Sequence, residues 1–424
     1  MKILVLNSGS SSIRFRIMDE SSRPTSRRQE TPQSIIQGML KGIGRVGSLE
    51  ISEREKVIFQ SECHIDNHEQ AFTWIFDSLR SLEKSGTITS DLNTIEAVGH
   101  RVVHGGDRFS DSTVIDTSIL REIEQLNELA PLHNPACLSG IYGAWKFVGD
   151  TIPMVAVFDT TFHHTLPAYA ATYAIPHELA ERHHIRRYGF HGIAHASLAN
   201  SYAHYTNTRL DEQRLITLQL GNGCSMTAIA FGKSIDTSMG FTPCEGLMMG
   251  TRSGDIDPSI IGYLAKKEQI SVMGVQNWLN EHSGLLGVSG QTNDMHQLLH
   301  ASTHQHDTRA TLAIDMFCYR IRKYFGAYLA VLGGTDAMVF GGGIGEGSPE
   351  IRAHICKEME WCGVQLDPER NQVAVELKPG AASKISSDNA AIATYVIGTD
   401  EESWIASETA RCLNTHSPEE RLEV

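Results

Sequence analysis

Positive charge, paired cysteines and long apolar runs are all scarce in this 424-residue sequence. Lysine and arginine number 36 against 50 aspartates and glutamates, for a formal net charge of −14. That argues against a nucleic-acid partner, which calls for a basic surface. A phosphate ligand would have to be held by local dipoles and a few arginines, not by the overall field. The eight cysteines include no CxxC pair. This speaks against a zinc ribbon or a disulfide framework and for free thiols in a reducing cytoplasm. No apolar run approaches the ~20 residues that cross a bilayer. The opening MKILVLNSGS has too short an apolar stretch for a signal peptide. The expectation is a cytoplasmic protein without membrane contact, long enough for two domains.

What is present alternates strand and helix patterns. KILVL (2–6) reads as a short apolar strand, broken at Asn7-Ser8-Gly9-Ser10-Ser11-Ser12 and resumed as IRFRI (13–17). Such a pair predicts a hairpin with a polar turn. The pattern recurs at 215–230, where LITLQL and MTAIA flank Gly221-Asn222-Gly223-Cys224-Ser225, and the recurrence points to an internal duplication. Helical spacing marks 68–84, 118–129 and 311–332. Asp257-Pro258 and Ser348-Pro349 open further helices. Stretches within 94–106, 153–160 and 337–340 read as buried strands. The Ser-, Arg- and Gln-rich segment 20–60 reads as a surface excursion without chemistry. The alternation predicts an α/β fold in which two sheets face each other across a cleft.

Three glycine-rich turns, 7–12, 221–225 and 341–347, each follow an apolar strand. Turns of this kind can present backbone N–H groups to phosphate oxygens, and none fits a P-loop or a dinucleotide fingerprint. The long irregular stretch DTSMGFTPCEGLMMGTRSGDIDP (236–258) holds Arg252 among glycines. Loops of this length in compact domains usually carry function. Arg101 sits in GHRVVHGG. A salt bridge is the alternative for either arginine, while bidentate contact to carboxylate or phosphate is the functional reading. Asp159 ends the apolar strand VAVF, where cleft carboxylates of α/β folds sit. Thr399 and Glu402 have capping-box spacing, leaving Glu401 free to hold a metal. His163-His164 and the pair His191/His195 permit a metallohydrolase, although HGIAH lacks the glutamate of HExxH. His191 can instead donate a hydrogen bond to a developing anion.

Taken together, these segments resemble the acetate kinase family, which shares its fold with sugar kinases, Hsp70 proteins and actin. The resemblance runs through LNSGSSS, GHRVVHGG, APLHNP (130–135), FDTTFH (158–163), RRYGFHG (186–192), LGNG (220–223), the stretch ending TRSGDIDP, GGGIGE (341–346) and TDEE (399–402). It implies two duplicated actin-like (ribonuclease H-like) α/β domains facing each other across a cleft. The first would be 1-155, completed by a C-terminal helix 385-424. The second, 156-384, would carry nucleotide-binding and dimerisation elements.

The implied activity is reversible transfer of the ATP γ-phosphoryl group to acetate, giving acetyl phosphate and ADP, with Mg²⁺ or Mn²⁺, in a homodimer. By the resemblance Arg101, Arg252, His191 and Asp159 are catalytic, and Glu401 with Asn7 is linked to the metal. Arg101, Val103, Leu132, His133 and Pro243 would bind acetate. Nucleotide and phosphates would meet Ser10, Ser12, Arg14, Gln219, Leu220, Gly221, Asn222, Gly223, Gly342, Gly343, Ile344, Gly345 and Gly347. The chain departs from the family pattern at Gln219, in place of a histidine, at Gly347, in place of an asparagine, and at Arg14, in place of a lysine. The first two lie on the donor side, which keeps a donor such as pyrophosphate open beside ATP. Propionate or butyrate as acceptor, a non-catalytic nucleotide-binding module and a histidine-metal hydrolase are the other readings.

Overall fold

A computed structural model describes residues 1–9, 11–20, 33–130 and 134–415. The chain divides into two compact units, Met1–Thr161 with Glu401–Val424, and Phe162–Asp400.

In the first unit β1 (Lys2–Ser8) and β2 (Ser12–Asp19) form the expected antiparallel hairpin, with Leu6 opposite Phe15. Its sheet is completed by β3 (Gln33–Lys41), β4 (Arg45–Glu53), β5 (Lys56–Ile65), β6 (Ala97–Val102), β7 (Thr113–Val114) and β8 (Met154–Phe158), in the order β5-β4-β3-β2-β1-β6-β8-β7. Strands β1, β6 and β8 run parallel. Ile3, Leu4 and Val5 are completely buried, as expected of a central strand covered on both faces. The period of two then sorts the site. Ser8 points toward Gly140 on the helix Asn134–Val148, and Asn7 toward the helix Glu401–Thr415. Register puts Arg101 beside Asn7 on that second face, and Asp159 two residues beyond Val157, the β8 partner of Arg101. Three adjacent parallel strands thus end in Asn7, Arg101 and Asp159 on one side of the sheet.

The second unit repeats the plan. Its sheet contains β9 (Arg214–Leu220), β10 (Cys224–Ala230), β11 (Lys233–Thr237), β12 (Ala337–Gly341), β13 (Ala382–Lys384) and β14 (Ala393–Ile397), in the order β11-β10-β9-β12-β14-β13. In each unit the first strand has an antiparallel pair on one side, β2-β3 or β10-β11. On the other side it has a parallel pair, β6-β8 or β12-β14. This shared order makes the fold the mixed α/β, actin-like type and accounts for the recurring hairpins. The helix Gly192–Thr206 covers the face bearing Leu215, Thr217 and Gln219, through a core that includes Leu198, Tyr202, Val339 and Ile397.

The structure corrects four sequence expectations. Residues 33–65 are not an excursion: they build β3, β4 and β5, with Ile36, Leu40, Leu49 and Ile51 buried. Their alternation is interrupted by polar residues and by turn glycines Gly42 and Gly44 at φ 84 and 88, so composition hid the period; 21–32 lie outside the described residues. The third glycine turn is a short helix, Gly342–Gly347. Within the expected helix 385-424, β14 extends the second sheet and the helix starts only at Glu401. The Thr399–Glu402 capping box does not form. The Thr399 hydroxyl donates to Glu346 at 2.8 Å, while Glu402 accepts from Asn7 at 3.2 Å.

Candidate active site

In the first unit the strand ends form a buried ionic cluster. Arg101 Nη2 donates to Asp159 Oδ2 at 2.9 Å and Nη1 to Asn7 Oδ1 at 3.3 Å. Asn7 Nδ2 donates to Glu401 Oε2 at 2.8 Å as well as to Glu402. Arg16, on β2, lies 3.6 Å from Glu402. Burial alone would lower the Arg101 pKa, but the Asp159 and Glu401 carboxylates hold it above its usual value. Burial raises the Glu401 pKa, only partly opposed by Arg101. Arg101 Nε is buried without a hydrogen-bond partner, so the guanidinium keeps a donor in reserve. The turn after Arg101 is fixed by Asn134, which accepts from the His104 N–H at 3.1 Å and donates to the His104 carbonyl at 3.2 Å. Thr160 Oγ1 accepts from the Gly105 N–H. Val103 is buried in that turn. Ser12 opens β2, and Arg14 is exposed opposite Asn7. Ser10, Leu132 and His133 lie outside the described residues.

Would this cluster suit Mg²⁺? Three carboxylates, Asp159, Glu401 and Glu402, meet two guanidiniums, Arg101 and Arg16. The local excess is negative, and the donors are the hard oxygens that Mg²⁺ takes. The residues fit. Asn7 gives its nitrogen to the carboxylates and its oxygen to Arg101, so it links the groups. Among the described residues no cluster of three or more His, Cys, Asp or Glu stands ready as a cation cage.

In the second unit two groups converge on Gly223. A Cβ there would lie 3.3 Å from Arg252 Nη1 and 3.4 Å from His191 Nε2. His191 caps the helix Gly192–Thr206 in the left-handed conformation, φ 58, a strained posture for a non-glycine residue. Its Nδ1 is bonded to Ser225 Oγ at 2.8 Å. Among the described residues Arg252 donates only to the Pro243 carbonyl at 3.2 Å and to Met249 Sδ, and burial lowers its pKa. No carboxylate among the described residues pairs with it. The surrounding loop closes on itself. Asp255 accepts from the Gly246 N–H at 2.9 Å and from Tyr324 Oη at 2.7 Å, and Arg187 donates to the carbonyls of Thr237, Ser238 and Met239. Gly254, at φ 68, would bring a Cβ to 2.5 Å from the Leu247 carbonyl oxygen. Glycine is therefore required there.

The Leu220–Gly223 turn is held at Gly221, whose N–H donates to the Gly223 carbonyl at 3.1 Å. Asn222 is exposed, with Oδ1 accepting from Asn293 at 2.8 Å. Gln219 Oε1 lies 3.2 Å from the Thr399 hydroxyl, whose proton goes to the nearer Glu346. Glu346 folds back over the helix Gly342–Gly347 and accepts from the Gly342 N–H at 2.8 Å. Arg352, fully buried, donates to the carbonyls of Gly345 and Glu346 at the other end. Gly343 and Gly347 face open space, where a Cβ would meet nothing within 4 Å; Ile344 and Gly345 lie between them. His163 spends both ring nitrogens on Ser234 and the Phe190 carbonyl, and His195 on Thr217 and Ser225, which leaves the metallohydrolase no ligand set. Sequence reasoning missed Arg16, Asn134, Ser225, Asn293 and Arg352. Two of these had a signal, Asn134 by its place in APLHNP and Ser225 by its place in the 221–225 turn.

The fold is the duplicated, mixed α/β, actin-like type, and each unit carries a half-buried arginine, Arg101 in one and Arg252 in the other. Residues 2–407 match the acetokinase family. The chain is 45% identical to the acetate kinase of Chloroherpeton thalassium over 97% of its length and 99% of that protein. Among solved structures, the acetate kinase of Porphyromonas gingivalis and a propionate kinase of Francisella tularensis each superpose with a TM-score of 0.85 at 38% identity. Each match covers 97% of this chain and 99% of the other. The chain belongs to the acetokinase family.

Proposed function

We propose that this enzyme transfers the γ-phosphoryl group of ATP reversibly to acetate, giving acetyl phosphate and ADP. The observation that carries the reading is Arg252: a half-buried guanidinium with no carboxylate partner among the described residues, set beside His191 at Gly223. An arginine so placed is a receptor for an anion. Acetate, with a pKa like that of a glutamate side chain at about 4.3, is ionised at neutral pH. Its attack on a phosphoryl group needs no general base, but it does need charge neutralisation, because two anions must meet. Arg252 and His191 supply donors for the transferred group. In the first unit Arg101, steadied by Asp159, serves the carboxylate, with Val103 among the acyl contacts. Asn222 and the 342–347 helix serve the donor phosphates and nucleotide. Glu401 and Asp159 would hold Mg²⁺, which when bound offsets phosphate charge.

The eight free cysteines fit a cytoplasmic setting. Leu312, Met316 and Tyr319, exposed along the helix Thr308–Leu332, fit a homodimer contact. Propionate as acceptor is the second reading, favoured by the equal likeness to the propionate kinase structure. One methylene changes discrimination by only ~1–3 kcal/mol. Acyl hydroxamate formation from ATP and Mg²⁺ with acetate and propionate in parallel tests both. Product from acetate at the higher kcat/KM is expected. Product from neither acid would overturn the reading.

A further inference from the structure

In the second unit a line of four side chains ends on His191. Thr217 Oγ1 is 2.7 Å from His195 Nδ1, and His195 Nε2 is 2.8 Å from Ser225 Oγ. Ser225 Oγ is in turn 2.8 Å from His191 Nδ1. Thr217, His195 and Ser225 are all completely buried. A hydroxyl has one proton, and so does a neutral imidazole, so the three bonds must all point the same way along the line.

Thr217 decides which way. His195 Nδ1 is the only hydrogen-bond partner of its hydroxyl among the described residues. A buried hydroxyl that did not donate there would leave its proton without an acceptor. The direction then propagates. His195 carries its proton on Nε2 and gives it to Ser225, and the Ser225 proton goes to Nδ1 of His191. The proton of His191 is left on Nε2, the edge that lies against Gly223 beside Arg252.

We propose that Thr217, acting through His195 and Ser225, holds His191 as the neutral Nε2–H tautomer, a donor that serves the transferred phosphoryl group without first being protonated. Thr217 and His195 are thus positioning residues. Their use in phosphoryl transfer rests on the function proposed above; the tautomer does not. Arg252 lies across Gly223 from the His191 ring, and His163 packs against His195. Burial, followed by His163 and His191, keeps His195 itself neutral.

Protein labelled with ¹⁵N-histidine and examined near neutral pH by long-range ¹H–¹⁵N correlation reads the tautomer directly, with His191 assigned by its loss in His191→Gln. A protonated Nε2 and bare Nδ1 are expected; the opposite tautomer or an imidazolium overturns the proposal. Thr217→Val keeps the shape and removes the anchoring proton. Mixed His191 tautomers and a roughly tenfold lower kcat at unchanged KM should follow, with Thr217→Ser restoring both. A valine variant that keeps the wild-type tautomer overturns the proposal even if activity falls. Ser225→Ala cuts the same line one bond later and gives the same reading should the valine variant not fold. The spectra need no substrate. Absence of phosphoryl transfer by the wild-type protein would therefore remove the proposed function and leave the tautomer assignment standing.

Discussion

Arg101 and Arg252 were indistinguishable in sequence, each an arginine among glycines, and the structure separates them. Arg101 has Asp159 at 2.9 Å, whereas among the described residues Arg252 has only a carbonyl and a thioether. Arg252→Lys should therefore lower kcat by about 10²–10³-fold without lowering the thermal unfolding midpoint, since no ion pair is lost; activity and scanning calorimetry check both. Glu401 behaves oppositely to a salt-bridged carboxylate. Burial raises its folded pKa above the unfolded value, so its contribution to stability is present at low pH and is lost as pH rises through the folded pKa. In metal-free protein, Glu401→Gln should raise the unfolding midpoint at neutral pH, with the gain shrinking as the buffer is acidified. Added Mg²⁺ should stabilise the wild type but not the variant. A variant less stable than wild type at neutral pH would refute this account.

At the scale of elements, legibility followed periodicity. The hairpins β1-β2 and β9-β10 showed as alternating apolar runs around polar turns, because their pattern is local. The helix Gly342–Gly347 did not, since four glycines in six residues oppose helix propensity. It is made by partners distant in sequence, with Thr399 and its own Glu346 at one end and Arg352 at the other. Arg352 places all five donors on neutral acceptors, Asn371 Oδ1 and the carbonyls of Gly345, Glu346, Asn371 and Ala374. No sequence pattern announces such a residue. Arg352→Met should cost about 3 kcal/mol or more in urea unfolding. It should also speed amide exchange across 342–347 and raise the KM for ATP more than it lowers kcat. Unchanged exchange in that helix would refute the clamp.

For the molecule as a whole, buried histidines set the acid limit. Burial brings His100 down to about 3 and His104 to about 4, and it holds His195 well below the usual value. Each is neutral when folded and gains a proton on unfolding in acid, so stability falls as pH drops below about 6.5. His100→Gln should reduce proton uptake on unfolding near pH 5 by about one, measured from the slope of stability against pH; an unchanged slope would refute it. The repeated strand order carries a different consequence. Register makes Asn7, Arg101 and Asp159 of the first sheet equivalent to Gln219, Gly341 and Thr399 of the second. The first trio is ionic, whereas in the second Gly341 brings no side chain and Thr399 donates to the Glu346 carboxylate beside Gln219. The repeat thus holds two copies of one three-position socket, with a guanidinium at the centre of one and a bare backbone at the centre of the other. One strand order can therefore carry an ionic centre in one unit and a side-chain-free centre in the other.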